Sequence, residues 1–294
     1  MMHKLLRLIG ALAAAVTLAA ILPAAAGAAV TWTAQPVPLP SGVDFGNLSG
    51  VSCPASAFCV ATDSDGGIDS SGNGAPVIEV WNGSTWTAMT LPEPSRGFPD
   101  GIVRGVSCSS ATRCTAVGTS QFSSAAPVAF IERWNGSSWT MQPSSLPAGA
   151  TGAALDGVSC TGVSACFAAG TYTTNAQGNN GLPLAMREQH GSWSPSQPPV
   201  PAGNIGILSG ISCVKPPAGA SQCTAAGYYT KNDTTAHRAL AEFWNGRQWT
   251  GQPTATPAAR RTLEAVSCIP GGPCTAVGDQ IPIGSKRQPL AEQN

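Results

Sequence analysis

Gly105-Val106-Ser107-Cys108, five further residues, then Cys114-Thr115-Ala116-Val117-Gly118 is the stretch that decides the fold, because the chain repeats it with variations. Ten cysteines stand at 53/59, 108/114, 160/166, 213/223 and 268/274, and the first members of successive pairs lie 55, 52, 53 and 55 residues apart. Gly50-Val51-Ser52, Gly157-Val158-Ser159, Gly210-Ile211-Ser212 and Ala265-Val266-Ser267 precede the other pairs. A fixed period of this size marks a repeat architecture. Pairing inside each repeat is the one scheme that treats all five alike, so the expected disulfides are Cys53–Cys59, Cys108–Cys114, Cys160–Cys166, Cys213–Cys223 and Cys268–Cys274. Closing so short a loop stabilises by roughly 2 kcal/mol per bridge in the chain-entropy model. A zinc site needs four clustered ligands, and each repeat offers two Cys with no paired His, so no metal is expected.

Downstream of each pair the same beat continues. An apolar strand ends in Glu79, Glu132, Glu188, Glu242 or Glu292. Trp81-Asn82-Gly83 with Trp86, Trp134-Asn135-Gly136 with Trp139, and Trp244-Asn245-Gly246 with Trp249 then form hairpin signals, and the third copy has shortened to His190-Gly191-Ser192-Trp193. Asn-Gly suits a turn because both residues tolerate positive φ. A two-residue turn pairs Glu79 with Trp86, whereas a four-residue loop pairs Trp81 with Trp86. Both registers put the two indoles on one face, since side chains alternate with period 2. Each repeat thus reads as four strands with an apolar face that needs a neighbouring sheet. Such units describe a β-propeller, with a linear solenoid or two sandwiches as rivals.

The ends of the chain favour the propeller. Trp32-Thr33-Ala34-Gln35-Pro36 matches the fourth strand Trp249-Thr250-Gly251-Gln252-Pro253, while the fifth repeat runs out at Leu290-Ala291-Glu292-Gln293-Asn294. Residues 30–40 are expected to complete the sheet begun by 258–294 and close a ring of five blades without an open edge.

Composition narrows the setting. The 294 residues carry 15 basic and 15 acidic side chains, 10% charged in all, against about 25% in ordinary domains. No nucleic-acid partner is expected from so neutral a chain. His3, Lys4 and Arg7, the apolar Leu8–Leu22 and the small-residue stretch through Ala26-Gly27-Ala28 fit a secretory signal over residues 1–29. A retained anchor is the alternative, although the apolar run is shorter than the roughly 20 residues a span requires. The expected product is a secreted, extracellular, monomeric single domain over 30–294, with disulfides formed in an oxidising compartment and no further membrane span.

The pattern Gly-Val-Ser-Cys-x5-Cys-Thr-Ala-Val-Gly, followed by Leu-Ala-Glu-x-Trp-Asn-Gly-x-x-Trp-Thr-x-Gln-Pro, resembles the repeat of secreted actinobacterial proteins read as β-propellers distantly like the kelch and sialidase-like groups. The resemblance covers the chain from about residue 30 onward and implies fold and location. No repeat has the kelch double glycine or the sialidase S-x-D-x-G-x-x-W box, so no catalytic residue is carried over.

Residues that break the repeat are the candidates for a unique site. Before the Gly-Val-Ser segment stand Ser49, Arg104, Asp156, Ser209 and Glu264, which a propeller gathers near one mouth of its channel. Two carboxyls about 5–10 Å apart suit glycoside cleavage, so a glycosidase-like hydrolase using Asp156, Glu264 and Arg104 is one reading. The other, placed first, is a non-catalytic binding or scaffold module. It contacts an extracellular or cell-surface glycan or protein through loop residues Asp63, Asp65, Tyr172, Tyr228, Tyr229, Asn232, Asp233 and His237. The recurring Glu is expected to have a structural role in every blade, a hydrogen bond or a cap, with five equivalent ligand sites as the alternative. Asp63-Ser64-Asp65-Gly66 lacks the spaced ligands of a calcium loop, and no phosphate or dinucleotide motif suggests a cofactor. The one His that serves neither the leader nor a Trp position, His237, has no nucleophile elbow to act on.

Overall fold

The structure, a computed structural model, describes residues 32–44, 46–63, 75–92, 101–120, 126–175, 180–202, 204–231, 236–255 and 260–294. The expected leader lies outside them. The chain divides into residues 1–35 and residues 36–294. In the first unit the described residues Trp32–Gln35 form no strand, and Trp32 is 98% exposed.

The second unit is all β among the described residues. Sheet 1 comprises β1 (Leu48–Ala55), β2 (Phe58–Asp63), β3 (Val77–Trp81) and β4 (Trp86–Thr90). Sheet 2 comprises β5 (Gly101–Ser110), β6 (Arg113–Ser120), β7 (Val128–Trp134) and β8 (Trp139–Met141). Sheet 3 holds β9 (Gly152–Cys160), β10 (Cys166–Thr173), β11 (Leu182–Gln189) and β12 (Ser192–Ser196). Sheet 4 holds β13 (Asn204–Val214), β14 (Gln222–Lys231), β15 (Arg238–Trp244) and β16 (Trp249–Gln252). Sheet 5 has three strands, β17 (Arg260–Cys268), β18 (Cys274–Ile281) and β19 (Gln288–Gln293). Every sheet is an antiparallel meander in chain order, and its disulfide ties the first strand to the second within the repeat.

The Trp-Asn-Gly turns use the longer loop. Trp81 pairs with Trp86, Trp134 with Trp139 and Trp244 with Trp249. Asn82 Oδ1 accepts from the Ser84 and Thr85 amides at 3.0 and 2.9 Å, and Gly83 takes φ 95°. Sheet 3 departs from this pattern. His190 (φ 52°) and Gly191 (φ 82°) make a two-residue turn with positive φ at both positions, which pairs Gln189 with Ser192 and Glu188 with Trp193. The strand therefore slides by two residues. Met186 rather than Glu188 lies opposite Ala168, the place that Glu132 holds opposite Ala116 in sheet 2.

That slide explains a buried ion pair. In sheets 2 and 4 a Trp of the third strand faces the preceding sheet: Trp134 stacks on Phe58, and Trp244 lies against Phe167. In sheet 3 Glu188 occupies the corresponding place and is met by Arg133 from sheet 2. At the next junction Arg187 lies 5.6 Å from the Trp244 ring centre, a cation–π contact.

The sheets pack face to face in chain order through apolar clusters. Val106, Val158, Ile211 and Val266 of the Gly-Val-Ser segments lie in those clusters. The adjoining serines point the other way: Ser52, Ser107, Ser159 and Ser212 accept from the amides of Cys108, Cys160, Cys213 and Cys268 at 2.9–3.0 Å. The same bond thus recurs across all four junctions.

The ring expected from the sequence is not closed. Residues 32–40 form no strand, sheet 5 has no fourth strand among the described residues, and β17 does not pack on β1 as the other first strands pack on one another. Val51, whose counterparts are packed at junctions, is 65% exposed, and Val277 is 46% exposed. Sheet 5's face away from sheet 4 carries Ser267, Thr275 and Gln293 beside the exposed Val277, and Ser212 and Thr224 hold the same places at a packed junction, so what sets this face apart is the fourth strand it lacks among the described residues.

Candidate functional site

The position before Gly-Val-Ser is a β-bulge. Register shifts leave Ser49, Arg104, Asp156, Ser209 and Glu264 as the extra residue of the first strand in sheets 1 to 5. A bulge re-aims the side chain it carries. Two glycines enforce the geometry. Gly227 stands across from the sheet 4 bulge, where a Cβ would collide with the Ile207 carbonyl oxygen. Gly210 lies where first strands of neighbouring sheets approach, and its Cβ would sit 3.1 Å from Ala265 Cα.

Four of the five bulge residues, Arg104, Asp156, Ser209 and Glu264, line one open cavity of about 510 Å³. Ser49 instead lies 3.3 Å from Thr62 Oγ1. Tyr228 of β14 and His237, just before β15, stack over the same space with ring centres 4.3 Å apart and planes 8° from parallel. Arg260 and Thr262 of β17, Asp279 of β18 and Arg287 complete its charged and hydroxyl lining.

The electrostatics are uneven. Arg104 Nε lies 3.9 Å from Asp156 Oδ1, and both side chains are partly exposed, so the pair is loose. Burial pushes Asp156 up to about 6, opposed by Arg104 and reinforced by the nearby Glu264 carboxylate. Asp279 accepts from Thr262 Oγ1 at 2.6 Å through its Oδ1, and the largely exposed Arg287 brings its Nε to 3.1 Å from Oδ2 without hydrogen-bond geometry. Burial and then the Arg260 guanidinium lower the pKa of His237, which is therefore a neutral imidazole at neutral pH. Burial also raises the Tyr228 phenol, with Glu264 adding to it. The cavity thus offers a carboxyl poised to hold or release a proton near pH 6, a second carboxyl, guanidinium donors and a stacked aromatic wall.

The loop residues expected to bind fare differently. Tyr228 and His237 reach the cavity. Tyr229, the next residue on the strand, points to the opposite face and packs against the cluster between sheets 3 and 4. Tyr172 is 6% exposed inside the core between sheets 2 and 3, because β10 extends to Thr173 and pairs it with Ala153 and Leu182. Asp63 ends β2 and is 3% exposed, so it is not a loop ligand. Asp65, Asn232 and Asp233 lie outside the described residues, as does most of Asp63-Ser64-Asp65-Gly66. Sequence reasoning missed Arg260, although Arg260-Arg261 is the chain's one Arg-Arg step and stands four residues before Glu264. The recurring Glu divides: Glu188 pairs with Arg133 and Glu292 accepts from the Ala255 amide and Arg261, whereas both carboxyl oxygens of Glu132, and Oε2 of Glu79 and Glu242, have no hydrogen-bond partner among the described residues.

No family model matches the chain, and no curated protein matches it. The chain is similar to several solved structures at low identity. One is the fungal lectin of Aleuria aurantia, described as a six-bladed β-propeller with a novel fucose recognition mode: 15% identity, TM-score 0.49, covering 84% of this chain and 74% of that one. Another is YCF48 bound to D1 peptide, at 14% identity and TM-score 0.44, covering 81% of this chain and 63% of the other, so this chain spans less than two thirds of that protein. A third is the α-L-arabinanase of Penicillium chrysogenum complexed with arabinobiose, at 11% identity and TM-score 0.45, covering 80% and 71%. The residues of these proteins are not carried over to this chain. No helix among the described residues is long and apolar enough to cross a membrane.

Proposed function

We propose that the protein is an exported binding module, its sheets the blades of a propeller, that takes an extracellular glycan into the bulge-lined cavity. One observation carries this reading: polar side chains from four separate sheets converge on one open space beside a stacked Tyr228–His237 wall. Sugars ask for that combination, a flat apolar face for the ring and fixed donors and acceptors for the hydroxyls. The five disulfides support an oxidising, extracellular setting. The test is a glycan array probed with the disulfide-bonded protein and with Tyr228→Ala and Glu264→Gln. Loss of the bound signal in both variants supports the reading. An array hit that both variants retain assigns binding elsewhere and overturns it.

A second reading, glycoside hydrolysis, is favoured by the raised pKa of Asp156 beside Glu264 on the same cavity. In that reading Asp156 is the acid that protonates the leaving oxygen, and Glu264 is the carboxylate acting from the other side. Arg104 positions Asp156. Release of reducing ends from the array hit, lost in Asp156→Asn and in Glu264→Gln, separates an enzyme from a binder.

A further inference from the structure

We propose that Arg260 makes the cavity selective for glycans bearing a carboxylate, that is, uronic acid units. The inference rests on the glycan-binding reading and adds the class of sugar. Three arginines line the cavity, and two are already engaged: Arg287 faces Asp279 at 3.1 Å and Arg104 faces Asp156 at 3.9 Å. Arg260 has no ion pair among the described residues, and its Nε is buried without a hydrogen-bond partner. A guanidinium is a fixed planar fork of donors whose matching acceptor is a carboxylate held by two parallel bonds. Leaving a buried donor unsatisfied is costly, so a ligand carboxylate gains from filling this place.

The surroundings fit that role. Arg260 stands at the start of β17, four residues and about 13 Å along the strand from the Glu264 bulge, and Asp279, the carboxyl on the neighbouring strand, has Arg287 Nε at 3.1 Å. Between the two ends lies room for a sugar ring against Tyr228 and His237. His237 Nδ1 is also buried without a hydrogen-bond partner, which places a second unmet polar atom beside Arg260 in the same cavity. A neutral imidazole there contacts a sugar hydroxyl without competing for the anion.

The test uses the full disulfide-bonded protein against immobilised pectate, alginate and hyaluronan, each paired with its carboxyl-reduced counterpart, and against a sulfated neutral glycan. We expect at least one uronate polymer to bind at least tenfold more tightly than its reduced form. Arg260→Gln should erase that difference by lowering affinity for the uronate form at least tenfold, and Arg260→Lys should restore only part of it. Equal binding of a polymer and its reduced form, discrimination that survives Arg260→Gln, or preference for the sulfated glycan overturns the carboxylate assignment and leaves glycan binding standing. Failure of every glycan to bind overturns both.

Discussion

Replacing Glu132 by glutamine should change how stability depends on pH more than it changes stability itself. Glu132 is 0% exposed, and neither carboxyl oxygen has a hydrogen-bond partner among the described residues. Burial pushes its pKa from 4.5 up to about 8. Below pH 4.5 the folded and unfolded chains are both protonated there, and the residue costs nothing electrostatically. Between pH 4.5 and 8 the unfolded chain releases the proton that the folded chain keeps. Stability therefore falls as pH rises through this window and levels off above it. The full linkage relation, about 1.4 kcal/mol per pH unit, gives roughly 3 kcal/mol at pH 7. Relaxation of the folded chain around the buried carboxyl moderates this, and about 1–2 kcal/mol is the figure expected. Glutamine removes the titration, so Glu132→Gln should match the wild type within about 1 kcal/mol at pH 4.5 and exceed it by about 1–2 kcal/mol at pH 8. Urea unfolding of both proteins at pH 4.5, 6, 7 and 8.5, with disulfides intact, measures the two slopes. A wild-type stability that is flat or rising from pH 5 to 8, or parallel curves for the two proteins, would refute the reasoning. Glu242, with its pKa also raised to about 8 by burial, should behave alike, and the two substitutions should add because their sheets do not touch at those sites.

The other predictions address the junctions. Trp134→Ala empties the space against Phe58 and Trp139 and should cost about 3–5 kcal/mol by chemical denaturation. Ser107→Ala removes the acceptor of the Cys160 amide and should cost about 1 kcal/mol, an effect Ser107→Thr should partly spare. Arg133→Met alone leaves the buried Glu188 carboxyl unpaired and should cost about 3 kcal/mol, whereas Arg133→Met combined with Glu188→Leu should come within about 1 kcal/mol of the wild type. A double variant as unstable as the single one would show that the pair is held for its shape rather than its charge.

What could be read in the sequence was whatever the repeat restates. The cysteine period alone gave the disulfide pairs, the five sheets and their chain order, because a feature occurring five times leaves few arrangements that treat all copies alike. Turn chemistry gave the hairpins but not their register. Asn82-Gly83 suits either loop length, and only the Asn82 side chain caught on the Ser84 and Thr85 amides selects the longer one. Ring closure was misread because matching Trp32-Thr33-Ala34-Gln35-Pro36 to a fourth strand tests local propensity. The seam also requires that segment to pair with the edge of sheet 5, and residues 32–40 form no strand. Tyr172 was misread for a related reason: its strand runs three residues past Gly170, to Thr173.

The candidate site was legible at its centre and not at its rim, and the bulge explains the difference. Within a repeat, positions facing a neighbouring sheet are filled by residues matched to that sheet, whether apolar or paired like Arg133 and Glu188, and the positions after the bulge hold only Gly or Ala. The bulge residue itself is the one place on the first strand that touches neither constraint. Its identity can therefore drift from Ser49 to Arg104, Asp156, Ser209 and Glu264 without cost to the fold. Variation at an otherwise regular position thus points to the surface the repeat leaves free, which is why those residues could be picked out from sequence. Arg260, Asp279 and Arg287 belong to strand ends and a connection whose lengths differ between repeats, so no internal comparison marks them. They join the cavity only because the sheets converge there, a fact that five aligned phrases of sequence do not contain.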